Sequence, residues 1–269
     1  MKAYVLAVEK ACNAKCDWCI TNIRQSYGKL INIKVLKAQL KKLKNLERIE
    51  ITGGGEPTLH PDLQDIVMEC SKIAPVQLTT HGANYISPLT HLLLETLCLS
   101  RQHYDDKKNE RLMGIKYNFI EFLWTVKSKL KISVTLDKQG IGTINDVINY
   151  DSRTSSSKVE KIIFRQMFEP EGNEKYQKIY DERYVSSKEI VKQLEGWIKE
   201  ENYKDIYYRD MAYKIIDHTK QDNPILKIEG GNKLEFEIRS CACELNNPVI
   251  HADGKITQGW NYDIDWKRD

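Results

Sequence analysis

Cys12-Asn13-Ala14-Lys15-Cys16-Asp17-Trp18-Cys19 places three thiols within eight residues, spaced x3 and then x2. A cubic iron–sulfur cluster of the [4Fe–4S] type, held wholly by protein, takes four thiolates. Three thiolates from one short loop leave one iron free for another ligand, as a catalytic metal site keeps a position for its reactant. Two other readings compete for the same residues. Close cysteines also serve zinc sites and disulfide frameworks. A zinc site, however, pairs C-x2-C with a second Cys/His pair at finger-like spacing, and none follows here.

Outward from this loop the chain alternates strands and helices. Ala3 to Val8 reads as an apolar strand ending where the cysteines begin, and helical spacing resumes over Ile33 to Leu46. Arg48 to Ile51 is a short strand that runs into Thr52-Gly53-Gly54-Gly55-Glu56-Pro57. Asp62 stands as the cap of a helix whose buried stripe is Leu63, Ile66, Val67, Cys70 and Ile73. Further strands are predicted at Val76 to Thr79, Leu97 to Ser100, Lys131 to Asp137 and Ile162 to Phe168. Helices are predicted around Pro88 to Glu95, in one long stretch from Asn109 to Lys129, at Asn145 to Tyr150 and over Ser186 to Glu200. Ser152 to Ser157 reads as a polar loop.

Six strands alternating with helices imply a parallel α/β sheet with right-handed crossovers, here an open six-stranded partial barrel, (β/α)6, of the TIM-like kind. Such sheets bind ligands at the carboxyl ends of their strands. The unusual residues of this chain fall at four such ends: the cysteines, the glycines, Thr80-His81-Gly82 and Ser100-Arg101. The barrel is expected to span residues 1–201, with a smaller cap over residues 202–269. Cys70 and Cys98 lie on apolar faces and read as small core residues.

The 269 residues, 41% hydrophobic and 29% charged, fit one large domain or a domain with an appendage. No run of 18 apolar residues appears, so no membrane span is expected. The N-terminus meets a charge at Glu9, too early for a signal peptide. A net charge of +3 is too small to argue by itself for nucleic acid, which is not the expected partner. Seven cysteines, an odd number with three clustered, suit a reducing compartment. The expected location is the cytoplasm.

With the glycine turn some 35 residues after the cysteines, the chain resembles the radical S-adenosylmethionine (SAM) superfamily. Glycines let backbone approach a ligand without a Cβ in the way. The resemblance covers roughly residues 1–200. Leu99-Ser100-Arg101, Asn109 to Gly114 and Ile163 to Pro170 are similar to the branch containing the molybdopterin-precursor cyclase, viperin and the peptide-modifying enzymes with a SPASM-type cap. It implies that Cys12, Cys16 and Cys19 bind a [4Fe–4S] cluster whose open iron chelates SAM. A reductant such as flavodoxin or ferredoxin then drives SAM cleavage to a 5′-deoxyadenosyl radical, which takes hydrogen from a peptide or small-molecule substrate.

The resemblance further implies that Gly54, Gly55 and Glu56 hold the methionine amino group of SAM. It sets Trp18 near the adenine, although a ring packed over the cysteine loop fits equally. Thr80, Ser100, Arg165 and Met167 fall where SAM contacts lie in relatives, or else they fill the barrel. His81 is a turn residue rather than a base. At the C-terminus, Cys241-Ala242-Cys243 precedes a hairpin with an Asp253-Gly254 turn, similar to the auxiliary-cluster module of the peptide modifiers. No cysteine follows Cys243, so one cluster and a degenerate cap are expected. The alternative of another class is a non-catalytic iron–sulfur or zinc protein that binds or senses.

Overall fold

A computed structural model of the chain describes residues 1–19, 21, 30–154, 156–168, 173–190, 192–193, 205–208, 211–218, 225–229, 235–239 and 247–259. Its first half runs β1 (Lys2–Glu9), α1 (Ile33–Leu40), β2 (Arg48–Gly54), α2 (Leu63–Ser71), β3 (Val76–Thr80), α3 (Pro88–Leu93) and β4 (Thr96–Ser100). There follow α4 (Asp106–Met113), α5 (Phe119–Thr125), β5 (Lys129–Thr135), α6 (Ile144–Thr154), β6 (Val159–Arg165) and α7 (Glu174–Arg183). The C-terminal part contributes β7 (Asp205–Tyr208), β8 (Met211–His218), β9 (Ile225–Glu229), β10 (Glu235–Arg239), β11 (Pro248–Ile250) and β12 (Ile256–Gln258).

Strands β1 to β6 pair in sequence order, all parallel, as an open sheet. Alternation along the strands divides its two faces. Ala3, Val5, Ile49, Ile51, Leu78, Leu97, Ile132 and Phe164 join the helix residues Leu36, Ile66, Val67, Phe122 and Val147 in one apolar core. The opposite face carries Glu50, Gln77, Lys131, Ser133 and Thr135, and β5 is buried at every second residue. An apolar face against helices and a polar inner face is what an open parallel barrel requires. Cys70 and Cys98 are both buried, as their apolar settings implied.

The C-terminal strands extend this sheet at both edges. β10 pairs parallel with β6 and leads an antiparallel ladder through β9 and β8 to β7. The expected hairpin is β11–β12, and β11 pairs parallel with β1, Tyr4 opposite Val249. Its Asp253-Gly254 turn closes with Gly254 N–H donating to the His251 carbonyl at 2.9 Å. Cys241, Cys243 and Tyr203 lie outside the described residues, as does most of the helix expected over Ser186 to Glu200, of which residues 187–190 and 192–193 are helical.

Four sequence expectations need correction. The single helix over Asn109 to Lys129 is two, α4 and α5. Gly114 ends α4 in the left-handed region at φ 63 and donates to Glu110 O at 2.7 Å, and Asn118 caps α5 by accepting from Ile120 N and Glu121 N. Helix α6 runs on to Thr154, through part of the segment expected to be loop. The sixth strand begins at Val159 and ends at Arg165, because Gln166 turns out of the ladder to accept from Ser187 N and Ser187 Oγ, both at 3.1 Å. Asp62 occupies the cap position of α2 without a side-chain cap bond; its N–H donates to His60 Nδ1 instead, at 3.0 Å.

Gly114 also marks where the helices meet the cysteine loop. A Cβ there lies 2.8 Å from Lys15 Cβ, while Lys15 N–H donates to Met113 O at 2.7 Å. Gly114→Ala is therefore expected to lower stability by about 1–2 kcal/mol, the cost of a left-handed L-residue. Urea unfolding checks it, and an unchanged midpoint contradicts it.

Candidate functional site

The cysteine loop leaves the carboxyl end of β1 through Lys10, which has φ 63. Two backbone bonds lay it against the glycine turn: Lys10 N–H donates to Gly54 O and Glu56 N–H to Ala11 O, each at 2.8 Å. The approach is tight enough that a Cβ on Gly55 would sit 2.3 Å from the Ala11 carbonyl oxygen. That is the physical reason for glycine at this position.

Glu56 is buried and its carboxylate is fully engaged. Oε1 accepts from Thr58 N (3.1 Å), Thr58 Oγ1 (2.6 Å) and Thr80 Oγ1 (2.6 Å), and Oε2 accepts from His81 N (3.0 Å). His81 Nδ1 accepts from Ala83 N, so its proton sits on Nε2 and is donated to Asn13 Oδ1 at 2.7 Å. Burial holds its pKa below the usual histidine value. Asn13 Nδ2 donates to Asn84 Oδ1, and Asn84 Nδ2 donates to Thr58 Oγ1. These bonds form a closed ring from the cysteine loop through the ends of β2 and β3. Asn13 and Asn84 carried no sequence signal beyond being polar residues beside motifs.

A second attachment comes from the C-terminal hairpin. His251 Nδ1 lies 2.9 Å from Glu9 Oε1, three residues before Cys12, and Nε2 lies 2.9 Å from Thr257 Oγ1. Thr257 gives its hydroxyl proton to Gly259 O, so the imidazole Nε2 donates to Thr257 Oγ1. Both side chains are buried.

The other site residues fall into two groups. Trp18 and Met167 pack together with Tyr176, beside Cys16 and Leu112. The Trp18 ring lies 4.4 Å beneath the Arg183 guanidinium. Ser100 stands opposite Ser133 in the β4–β5 register, and Arg165 Nε donates to Ser133 Oγ at 3.2 Å. The group Gly54, Gly55, Glu56 and Thr80 thus meets the cysteine loop directly. Ser100 and Arg165 meet through Ser133, at the same edge of the sheet.

Beyond β4 the chain is braced by buried polar groups. Asn109 Oδ1 accepts from Gln102 N and His103 N, and Arg101 Nη2 donates to Asp106 Oδ1 beneath Phe119. His103 Nδ1 accepts from Asp105 N, and burial is the main cause that lowers its pKa from 6.5 to about 4. The unfolded histidine then binds more protons than the folded one. Stability is therefore complete above pH 6.5 and falls as pH drops from there toward about 4. His103→Gln is expected to flatten that part of the pH–stability curve. Denaturant midpoints at pH 7 and pH 4.5 check it, and equal slopes in both proteins contradict it.

All three loop cysteines are free thiols. Burial pushes the Cys16 thiol up to about 12, with Cys19, Cys12 and Asp17 adding to the rise. Cys12 is raised by burial as well, with Glu56 and Cys19 contributing. Cys12 and Cys16, whose thiols burial holds against ionisation, are stabilised as thiolates by a bound cation. Among the described residues no three His, Cys, Asp or Glu side chains converge closely enough for one metal ion. Three cysteine sulfurs on one loop are the donor type that an iron–sulfur cluster takes. The donor set fits the cluster.

The structure thus sets a thiol loop against a glycine turn at the carboxyl edge of an open parallel sheet. Residues 8–137, just under half of the chain, match the family described as the Radical SAM superfamily. A relative is the probable GTP 3′,8-cyclase of Archaeoglobus fulgidus, 28% identical over 114 residues, 40% of this chain and 38% of that protein. Streptococcus suis SuiB bound to precursor peptide SuiA superposes with a TM-score of 0.66 at 18% identity, over 95% of this chain and 58% of SuiB. anSMEcpe with bound AdoMet gives 0.58 at 15% identity, over 98% of this chain and 75% of that one. The chain thus spans well under half of the curated relative and little more than half of SuiB. No helix among the described residues is long and apolar enough to cross a membrane.

Proposed function

We propose that the protein is a radical SAM enzyme in which Cys12, Cys16 and Cys19 hold a [4Fe–4S] cluster and SAM docks beside it. The observation that carries this is the pair of 2.8 Å backbone bonds locking the cysteine loop to the Gly54–Glu56 turn. When bound, cluster and SAM supply a one-electron cleavage of SAM and the abstraction of a hydrogen atom from an unactivated C–H bond.

The chain's own part is positioning. The Glu56 carboxylate, saturated by four protein donors, braces the turn, so the SAM amino group is left to backbone carbonyls near Gly54. Ser100, Ser133 and Arg165 form a polar edge for the carboxylate or ribose of SAM. Trp18 and Met167 wall the loop off from water on the side of α7. Residues 202–269 act as the cap that shapes the substrate pocket. A reductant such as flavodoxin or ferredoxin supplies the electron.

The substrate is a peptide or a small molecule such as a nucleotide. SuiB is described with its precursor peptide and the curated relative as a GTP cyclase, which supports each class in turn. Anaerobic reconstitution of the full chain tests the proposal. About four irons and matching sulfide per chain are expected, with 5′-deoxyadenosine formed on addition of SAM and dithionite. Bound zinc, or a cluster-loaded protein that forms no 5′-deoxyadenosine, overturns it.

A further inference from the structure

We infer that Arg183 is a positioning residue that clamps the Cys16–Cys19 half of the cysteine loop and sets how firmly the loop keeps its cluster. The inference rests on the cluster-binding reading above. The first half of the loop is tied down by Ala11 and Asn13, through the glycine turn and the hydrogen-bonded ring. The second half has no strand or helix of its own; the Cys19 N–H donates to Cys16 O at 3.2 Å, a single turn. What fixes that turn arrives from the far side of the barrel, at the end of α7.

Arg183 is the last residue of α7 and is buried. Its guanidinium reaches three partners at once. Nε donates to Asp137 Oδ1 at 3.0 Å and Nη2 donates to Asp137 Oδ2, a bidentate fork just beyond the end of β5. Nη1 lies 3.6 Å from Asp17 Oδ2, on the residue that follows Cys16. Its flat face covers the Trp18 ring, the residue that precedes Cys19. From the same helix, Tyr176 donates its hydroxyl proton to the Trp18 carbonyl.

Both residues between Cys16 and Cys19 are thus held by α7. Asp137 is itself fixed: it accepts from Gln139 N at 2.9 Å, and Lys138 N–H donates to Arg183 O at 3.0 Å. The clamp is therefore rigid on the barrel side and grips the loop on the other. A guanidinium meets these demands together, because a planar fork can pair with a carboxylate in its plane and stack on an indole with its face. Lysine has neither the fork nor the face.

The test compares the full chain with Arg183→Lys and Arg183→Met after anaerobic reconstitution and desalting, reading iron retained and the rate of iron loss to a ferrous chelator. Asn118→Ala, which removes the cap of α5 away from the loop, controls for simple destabilisation. Both Arg183 variants are expected to lose iron at least about tenfold faster than wild type, in the range seen when groups that orient metal ligands are removed. Asn118→Ala is expected to keep the wild-type rate. Wild-type rates in both Arg183 variants, rescue by lysine alone, or equal lability in Asn118→Ala overturns the clamp. A wild-type protein that retains no iron–sulfur cluster instead fails the parent proposal and the clamp with it. Should the methionine variant not fold, the lysine variant decides.

Discussion

Cys16→Ala is expected to reduce 5′-deoxyadenosine formation by at least about a hundredfold, beyond the usual 10–100-fold effect of losing a group that merely orients a ligand. Cys16 is less exposed than Cys12, and burial with its two cysteine neighbours pushes its thiol pKa up to about 12 in the free protein. A thiol that costly to ionise contributes little to the metal-free fold except volume. Its value comes when iron replaces the proton, and metal affinity then depends on the thiolate directly. The fold should survive, because alanine removes a partly exposed sulfur and leaves the Cys19 N–H to Cys16 O backbone turn in place. Iron content and 5′-deoxyadenosine measured on the same samples check it. A variant with wild-type iron and turnover contradicts the ligand assignment.

Glu56→Ala is expected to have the largest effect on stability, about 3–5 kcal/mol, from stranding several buried donors at once. Thr58 N, Thr58 Oγ1, Thr80 Oγ1 and His81 N all lose their acceptor. The site is 3% exposed, so water replaces the carboxylate poorly. That loss is a large share of the total stability of a domain, about 5–15 kcal/mol. Because the ring through His81, Asn13, Asn84 and Thr58 opens with it, cluster retention should fall together with the melting temperature. Glu56→Gln keeps one acceptor oxygen and should fall between the two. Thermal melts of the metal-free proteins check the order, and a wild-type melting temperature for Glu56→Ala contradicts the brace.

The parts of this site that could be read from sequence are those whose information is local. The x3–x2 spacing of Cys12, Cys16 and Cys19 and the run Gly53-Gly54-Gly55 each lie within one turn, and strand ends mark where they fall. The open parallel sheet follows from the alternation of strands and helices for the same reason. The division of α4 from α5 was also local, in Gly114 and Asn118, but a continuous helical period across both outweighed those two residues. What holds the loop in place was not legible. Arg183 and Asp137 are 46 residues apart, Asn13 and Asn84 are 71 apart, and Glu9 and His251 are 242 apart. Nothing in a single chain's pattern pairs an ordinary Arg, Asn or His across such distances; only the folded sheet brings them together. Trp18 shows the same limit. Its place before Cys19 suited either an adenine contact or a packed ring, and the packing against Met167, Tyr176 and Arg183 emerges only from the folded helix α7.

The electron paramagnetic resonance spectrum of the reduced, reconstituted protein, recorded before and after adding SAM, bears most directly on the central claim. In the proposed cluster three loop thiolates would leave one iron corner open, so SAM binding is expected to change the signal while the iron content stays constant. A full cluster whose spectrum is the same with and without SAM contradicts an open corner at the cysteine loop.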